Sequence, residues 1–265
     1  MIALKNVALT AGKRTVLEGI DATFERGAFT AVLGANGAGK TTLLRGIAGL
    51  RAPAEGSIRI DGNDVHALPA TQRALRVAMI AADEVVLEGL TVREVVATGR
   101  FPHHRWWEWN ERPHDREAVA RALSDVDLVD FARRPIETLS SGERQRAWIA
   151  LGLAQETPVL LLDEPTSHLD VRAAHDVLRL LRGLCASGKT IVCVLHDVNE
   201  AAAFADRVAL IGDGGIIAAG TCDTVLERSN LERAYGIAME RVPMPDGSVR
   251  LFVPDETIGG GEDRC

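Results

Sequence analysis

Three runs of the chain are apolar at successive positions instead of alternating ones: Phe29 to Leu33, Val159 to Leu162 and Ile191 to Leu195. A strand with one wetted face alternates apolar and polar side chains, whereas a strand covered on both faces need not. Each run is bounded by Gly, Pro or charge and followed by a small-residue or acidic turn. Together they predict the buried strands of a parallel sheet. The first 27 residues and Ser57 to Ile60 predict shorter strands of a flanking antiparallel sheet. Between about Glu84 and Pro158 the period changes. Val119, Ala122, Leu123 and Val126 recur at helical spacing, and Arg144 to Gln155 predicts a further helix. A mostly helical insert, about residues 84–158, is therefore expected within an α/β core. Beyond Gly220 a helix-like stretch precedes Met239 to Val253, where Asp246-Gly247 predicts a hairpin turn. That places a C-terminal helix and hairpin over about 221–255. The remaining 256–265, including Gly259-Gly-Gly-Glu-Asp-Arg-Cys265, has nothing to pack and is expected to be mobile. No repeat of 20 to 50 residues interrupts this plan.

Composition narrows the function more than the fold. With 265 residues, 46% hydrophobic and 25% charged, the chain suits an ordinary globular core, not a disordered or fibrous one. A net charge of -7 argues against a nucleic-acid partner, which normally meets a basic balance. Cys185, Cys193, Cys222 and Cys265 form no CxxC pair and no Cys/His cluster, so free thiols in a reducing compartment are expected. No stretch approaches the roughly 18 to 20 apolar residues of a bilayer span, and the N-terminus lacks a signal-peptide run. A cytoplasmic location follows as the expectation.

Candidate chemistry begins after the first buried run. Gly34-Ala-Asn36-Gly37-Ala-Gly39-Lys40-Thr41 fits GxxxxGK[ST], with Thr42 and a helix-like stretch behind it. Glycines let the backbone turn with its N–H groups inward, making an anion nest at a helix N-terminus. Lys40 can then reach the β- and γ-phosphates of a nucleotide, and the Thr41 hydroxyl can ligate Mg²⁺. The alternative is a Gly-rich turn with a surface lysine, which the strand–loop–helix context disfavours. Val159-Leu-Leu-Leu-Asp163-Glu164 supplies an acidic strand end at the sheet edge where open α/β sheets bind ligands. Asp163 can hold the metal through water, and Glu164 can act as general base. The combination predicts a P-loop nucleoside triphosphatase.

Leu139-Ser140-Ser141-Gly142-Glu143 opens an amphipathic helix. Ser140 with Glu143 is a capping box, and a capping role alone is the plain alternative; yet it also exposes a second helix N-terminus suited to anions. The phosphate loop, this segment, the Asp163-Glu164 strand, Ser167-His168-Leu169-Asp170 and Val194-Leu195-His196-Asp197 stand in a fixed order. In this the chain resembles the ATP-binding-cassette ATPases over about residues 1–255. The resemblance implies that fold: a P-loop core with a mostly parallel sheet, an N-terminal antiparallel β subdomain and a helical insert. It also implies ATP and Mg²⁺ as ligands. Ser140, Ser141, Gly142 and Glu143 match the signature that presses on a nucleotide held by the opposite subunit, implying a head-to-tail homodimer. Ser167 to Asp170 match the loop coupling two such sites, and His196 matches the switch histidine.

Two positions depart from the family pattern. An aromatic that stacks on adenine is replaced by Ala11, leaving Arg14 or a neighbour to cover the base. The family's metal- and water-contacting glutamine falls near Ala82, where Asp83 is the nearest oxygen ligand. Slow hydrolysis or altered metal placement is the implied consequence. Residues 97–115 hold Trp106, Trp107 and Trp109, in the region, about 83–112, that receives a membrane permease in this family. A local core is the plain alternative for these rings. The wording GRFPH, LAQETPVLLLDEPTSHLD and VPMPDGSVRLFVP looks most like importers of ferric siderophores, haem or cobalamin. A periplasmic or extracellular binding protein would then be an indirect partner, and the cytoplasmic membrane face the location. His103, His104 and His114 lack acidic or cysteine partners at ligand spacing and are expected to be solvated or interfacial. A hydrolysis-poor regulator and a soluble non-transport cassette remain the alternatives.

Overall fold

A computed structural model describes residues 1–81, 88–104, 112–244 and 249–254. The Trp106, Trp107 and Trp109 cluster, Ala82 and Asp83, the Asp246-Gly247 turn and the 256–265 tail lie outside the described residues. In chain order the strands are β1 (Ile2–Ala11), β2 (Arg14–Phe24), β3 (Phe29–Gly34), β4 (Glu55–Ile60), β5 (Asn63–Asp64), β6 (Val77–Ile80), β7 (Val159–Asp163), β8 (Thr190–Val194), β9 (Arg207–Gly212), β10 (Gly215–Gly220), β11 (Glu240–Pro243) and β12 (Val249–Phe252). The helices are α1 (Lys40–Ile47), α2 (Ala70–Ala74), α3 (Val92–Ala97), α4 (Pro113–Asp125), α5 (Ser141–Ala154), α6 (Val171–Ala186), α7 (Val198–Phe204), α8 (Cys222–Val225) and α9 (Arg228–Tyr235).

The three continuously apolar runs are the centre of a six-stranded sheet in the order β10-β9-β3-β8-β7-β6. All its pairings are parallel except that of β9 with β10. Every residue of β3, β7 and β8 is buried, which is why no alternation marked them. Side chains of β3 divide between two cores. Phe29, Ala31 and Leu33 face a cluster that includes α5 and α6, whereas Val32 faces one shared with α1, β1 and β2. The second sheet, β2-β1-β4-β5, is antiparallel. Its first two strands span 10 and 11 residues and are the longest described, not the shorter strands expected. Three register shifts bend this hairpin, and bending lets a long ribbon follow the core without presenting a strict alternation.

Strands β6, β9 and β10 were not anticipated. β6 is a four-residue Val-Ala-Met-Ile stretch that finds its place only by pairing with β7. Between β6 and β7 the described elements are helical: α3, α4, α5 and short 3₁₀ turns. Their mutual packing is apolar, through Val92, Val95, Val119, Ala122, Leu123 and Ile149. Helix α5 starts at Ser141, three residues before the expected Arg144, because Ser140 caps it. At the C-terminus β11 and β12 pair antiparallel as an isolated ribbon. Among the described residues, no helix is long and apolar enough to cross a membrane.

Candidate functional site

The loop between β3 and α1 lies at the carboxyl edge of the parallel sheet. Gly34 has φ +148°, and a Cβ there would stand 2.4 Å from the Ile211 carbonyl oxygen, so no side chain fits. Gly39, at φ +105°, would press a Cβ to 2.9 Å from Leu17 and Val16. Both positions require glycine for conformation and for space. The loop thus turns tightly into α1, whose first N–H groups are unspent by the helix itself. Lys40 is only 5% exposed; its Nζ donates to the Gly34 carbonyl at 2.8 Å and the Ala35 carbonyl at 3.1 Å. Burial lowers the Lys40 pKa, against the opposing pull of Glu164 and Asp163.

From the end of β7, two strands from β3 in the sheet, Asp163 accepts a hydrogen bond from the Thr41 hydroxyl at 3.1 Å. Burial raises the Asp163 pKa, and the nearby Glu164 charge acts in the same sense, although the Thr41 bond opposes both. Glu164 follows at φ +55°, an uncommon backbone for a non-glycine residue. Its carboxylate Oε1 lies 2.8 Å from His196 Nε2, and its Oε2 accepts from Ser167 Oγ at 3.3 Å. Ala11, Val16, Asn36, Gly37, Gly39, Lys40, Thr41, Thr42, Glu164 and His196 line one cleft of about 530 Å³. Val16 was not singled out from sequence; with Ala11 it gives that cleft a small apolar wall, whereas Arg14 does not line it. The Thr41 hydroxyl and Asp163 carboxylate are hard oxygen donors, a pair that suits Mg²⁺ completed by phosphate and water.

A second, separate cleft of about 220 Å³ carries Ser140, Gly142, Glu143 and Asp170. Ser140 accepts from the Glu143 N–H while Glu143 accepts from the Ser140 N–H, so the capping box forms in full. These bonds from Ser140 hold the Glu143 pKa below its usual value. Asp170 caps α6 by accepting the Ala173 N–H at 2.8 Å. Ser141 is exposed at the start of α5. None of the second-cleft residues lines the first cleft.

Two features escaped sequence reading. Tyr235, in α9, accepts the Gly34 N–H at 3.1 Å from 201 positions away. Arg100, 2% exposed, is the centre of an ionic cluster. Its Nε donates to Asp115 at 2.9 Å, and its Nη1 donates at 2.7 Å to both Glu156 and the Ala154 carbonyl. His104 Nε2 lies 2.9 Å from Asp115, and His114 Nε2 lies 3.1 Å from Glu156. His103 pairs with the Gln155 carbonyl at 2.9 Å. His104 and His114 therefore have acidic neighbours, brought by the fold instead of by local spacing, and the His104 side chain is only 15% exposed. Burial works against the Asp115 carboxylate, but Arg100, the Arg112 N–H and His104 outweigh it and keep its pKa low. Among the described residues, no group of three or more His, Cys, Asp or Glu could hold a metal by itself.

Known proteins place this geometry in context. Residues 17–167 match the family described as ABC transporter. The chain is 38% identical to the ferric enterobactin transport ATP-binding protein of Escherichia coli K12, covering 94% of this chain and 92% of that protein. It is 41% identical to the hemin import ATP-binding protein of Streptomyces coelicolor, covering 92% and 86%. Among solved structures, a putative metal-chelate type ABC transporter in an inward-facing conformation superposes with a TM-score of 0.85 at 25% identity, over 97% and 98% of the two chains. A dimeric ATP-binding cassette bound to ADP and Pi after hydrolysis gives 0.72 at 29% identity, over 84% and 99%.

Proposed function

Because the chain belongs to the ABC transporter family, as an ATP-binding and ATP-hydrolysing subunit, we propose that it powers uptake of a ferric siderophore or haem. The cargo class is taken from relatives named for ferric enterobactin, siderophore and hemin transport. The observation that carries the catalytic part is the meeting of Lys40, Thr41, Asp163, Glu164 and His196 at one sheet edge. Nothing favours a hydrolysis-poor regulator or a soluble non-transport cassette.

On this reading the N–H groups at the start of α1 and the Lys40 ammonium receive the phosphates, Lys40 exchanging its loop carbonyls for phosphate oxygens. Thr41 and Asp163 would hold Mg²⁺, which would supply charge neutralisation to the phosphates there. Glu164 accepts a proton from the water that attacks the γ-phosphorus, the bond to the β-bridging oxygen breaks, and ADP departs with that electron pair. His196, 2.8 Å from Glu164, orients the carboxylate. The Ser140 to Glu143 turn and Asp170 complete the partner copy's nucleotide site in a head-to-tail homodimer. Two separate clefts on one chain, one at the phosphate loop and one at the start of α5, support that arrangement.

Residues of about 84–158 form the helical subdomain, and about 83–112 its permease surface, which puts the subunit at the cytoplasmic membrane face. An extracellular or periplasmic binding protein delivers the cargo to the permease. Closure on ATP drives the permease only if the closed dimer binds ATP more tightly than the open one. The test is phosphate release from the purified subunit with and without its permease in lipid, alongside uptake of labelled ferric siderophore or haem. Stimulated release with uptake is expected. Clear ATP binding with background release in both arms would overturn the motor assignment.

A further inference from the structure

The carbonyl of Val32 accepts the Leu195 N–H, so alternate residues of β3 direct their polar backbone groups toward β8. Gly34, two residues on, directs its N–H to the same side. By then β8 has ended at Val194, and the ladder offers no strand partner. The N–H is met instead by the hydroxyl of Tyr235, which is the chain's single tyrosine. The other peptide group of Gly34 is also held, because its carbonyl accepts Lys40 Nζ at 2.8 Å. Between them stands the φ of +148° that launches the phosphate loop. Fixing both peptide planes fixes the direction in which the following N–H groups point.

Tyr235 reaches this point from outside the phosphate-binding elements. It ends α9, which packs on β9 and β10 and stops at Gly236 in the left-handed conformation. The same C-terminal segment also grips α7, the helix that follows the cleft residue His196. Asn199 of α7 exchanges two hydrogen bonds with the backbone of Leu251 in β12, at 2.8 and 3.0 Å. Helix α7 begins directly after His196-Asp197. One clasp therefore falls at the entry to the phosphate loop and the other just beyond the switch histidine.

We propose that Tyr235 is a positioning residue for the phosphate loop, through which the C-terminal segment 221–254 is coupled to nucleotide binding. It rests on the assignment of that loop as the ATP site. Removing only the hydroxyl leaves a buried N–H unpaired, an error that the loop relieves by turning its peptide. The penalty falls on the alignment of the donors for phosphate, and hence on the Michaelis constant more than on turnover.

The full-length subunit provides two readouts. Tyr235→Phe is expected to raise the KM for ATP about tenfold while kcat changes less than about twofold. Leu231→Val, a buried change elsewhere in α9, is expected to lower the thermal midpoint and leave KM alone. Independently, 3-fluorotyrosine incorporation places one fluorine in the wild-type chain, whose ¹⁹F resonance should shift on titration with Mg-free ATP. An unchanged KM in Tyr235→Phe, or an equal rise in Leu231→Val, would overturn the proposal. So would a stationary ¹⁹F line while calorimetry records binding, and this arm decides alone should the phenylalanine variant not fold. Absence of ATP binding by the wild-type subunit would instead remove the loop assignment itself.

Discussion

The two clefts of this chain are built by opposite means. The one at the sheet edge is fixed from beneath by strands buried on every residue. It holds Glu164 in a strained backbone and keeps Lys40 nearly out of water. The one at the start of α5 is a surface capping box, with Ser140 and Ser141 both exposed. Its capping bonds are local, and the rest of its wall comes from the start of α6 at Asp170 and Ala173. The difference teaches which half of the clamp can act by itself. In the proposed clamp, the half organised by the core receives phosphate before any partner arrives, whereas the surface half at the starts of α5 and α6 acts when another copy presents an anion to it.

The largest effect expected is from Glu164→Gln, which keeps the side-chain shape but removes the base. Turnover should fall by about 10²-fold or more, with ATP still bound and dimers accumulating in size-exclusion chromatography; hydrolysis at the parental rate would break the assignment. Lys40→Ala should weaken ATP binding about 30-fold or more by calorimetry, since charge-assisted phosphate contacts disappear from the core-built half. Unchanged affinity would show that the sheet-edge cleft does not lead in binding.

Asp115→Asn probes how the outer half is anchored, because Arg100 holds the far end of α5 at the Ala154 carbonyl. The folded pKa of Asp115 lies below its ordinary value. The folded protein therefore binds fewer protons than the unfolded chain as acid is added, and this stabilisation is present above the ordinary carboxylate range and lost as pH falls through the folded pKa. The variant should be about 2–3 kcal/mol less stable at pH 7 and lose less stability than wild type between about pH 5 and pH 3. Parallel denaturation curves across that range would count against the anchor. Smallest is Ser140→Ala. It should cost about 1 kcal/mol of stability through the lost cap and leave ATP affinity of the dilute subunit within about twofold. Turnover of the assembled dimer should fall about tenfold.

What could be read from sequence follows the same division. The phosphate loop, the acidic strand end and the Ser140 capping box are each contiguous, so their residue types and spacing carried the chemistry. The central strands were legible because burial on both faces writes an unbroken apolar run. β6 was not, since four apolar residues satisfy helix and strand alike until β7 is alongside. Tyr235 and the Arg100–Asp115–Glu156 cluster join residues from 15 to 201 positions apart. No local period records such pairings. His114 is exposed as expected, but the acid it meets, Glu156 on the turn after α5, is 42 positions away and left no local trace.

Glu164 occupies a left-handed backbone that an L-residue with a long side chain enters at a cost of order 1–3 kcal/mol. Glycine would adopt it freely. A chain selected for endurance alone would thus be expected to accept Glu164→Gly, a silent form more tolerant of heat and unable to turn over a single nucleotide. With Glu164 as the proposed base, the position sets durability against work, and thermal screens of random variants should recover its loss as a gain.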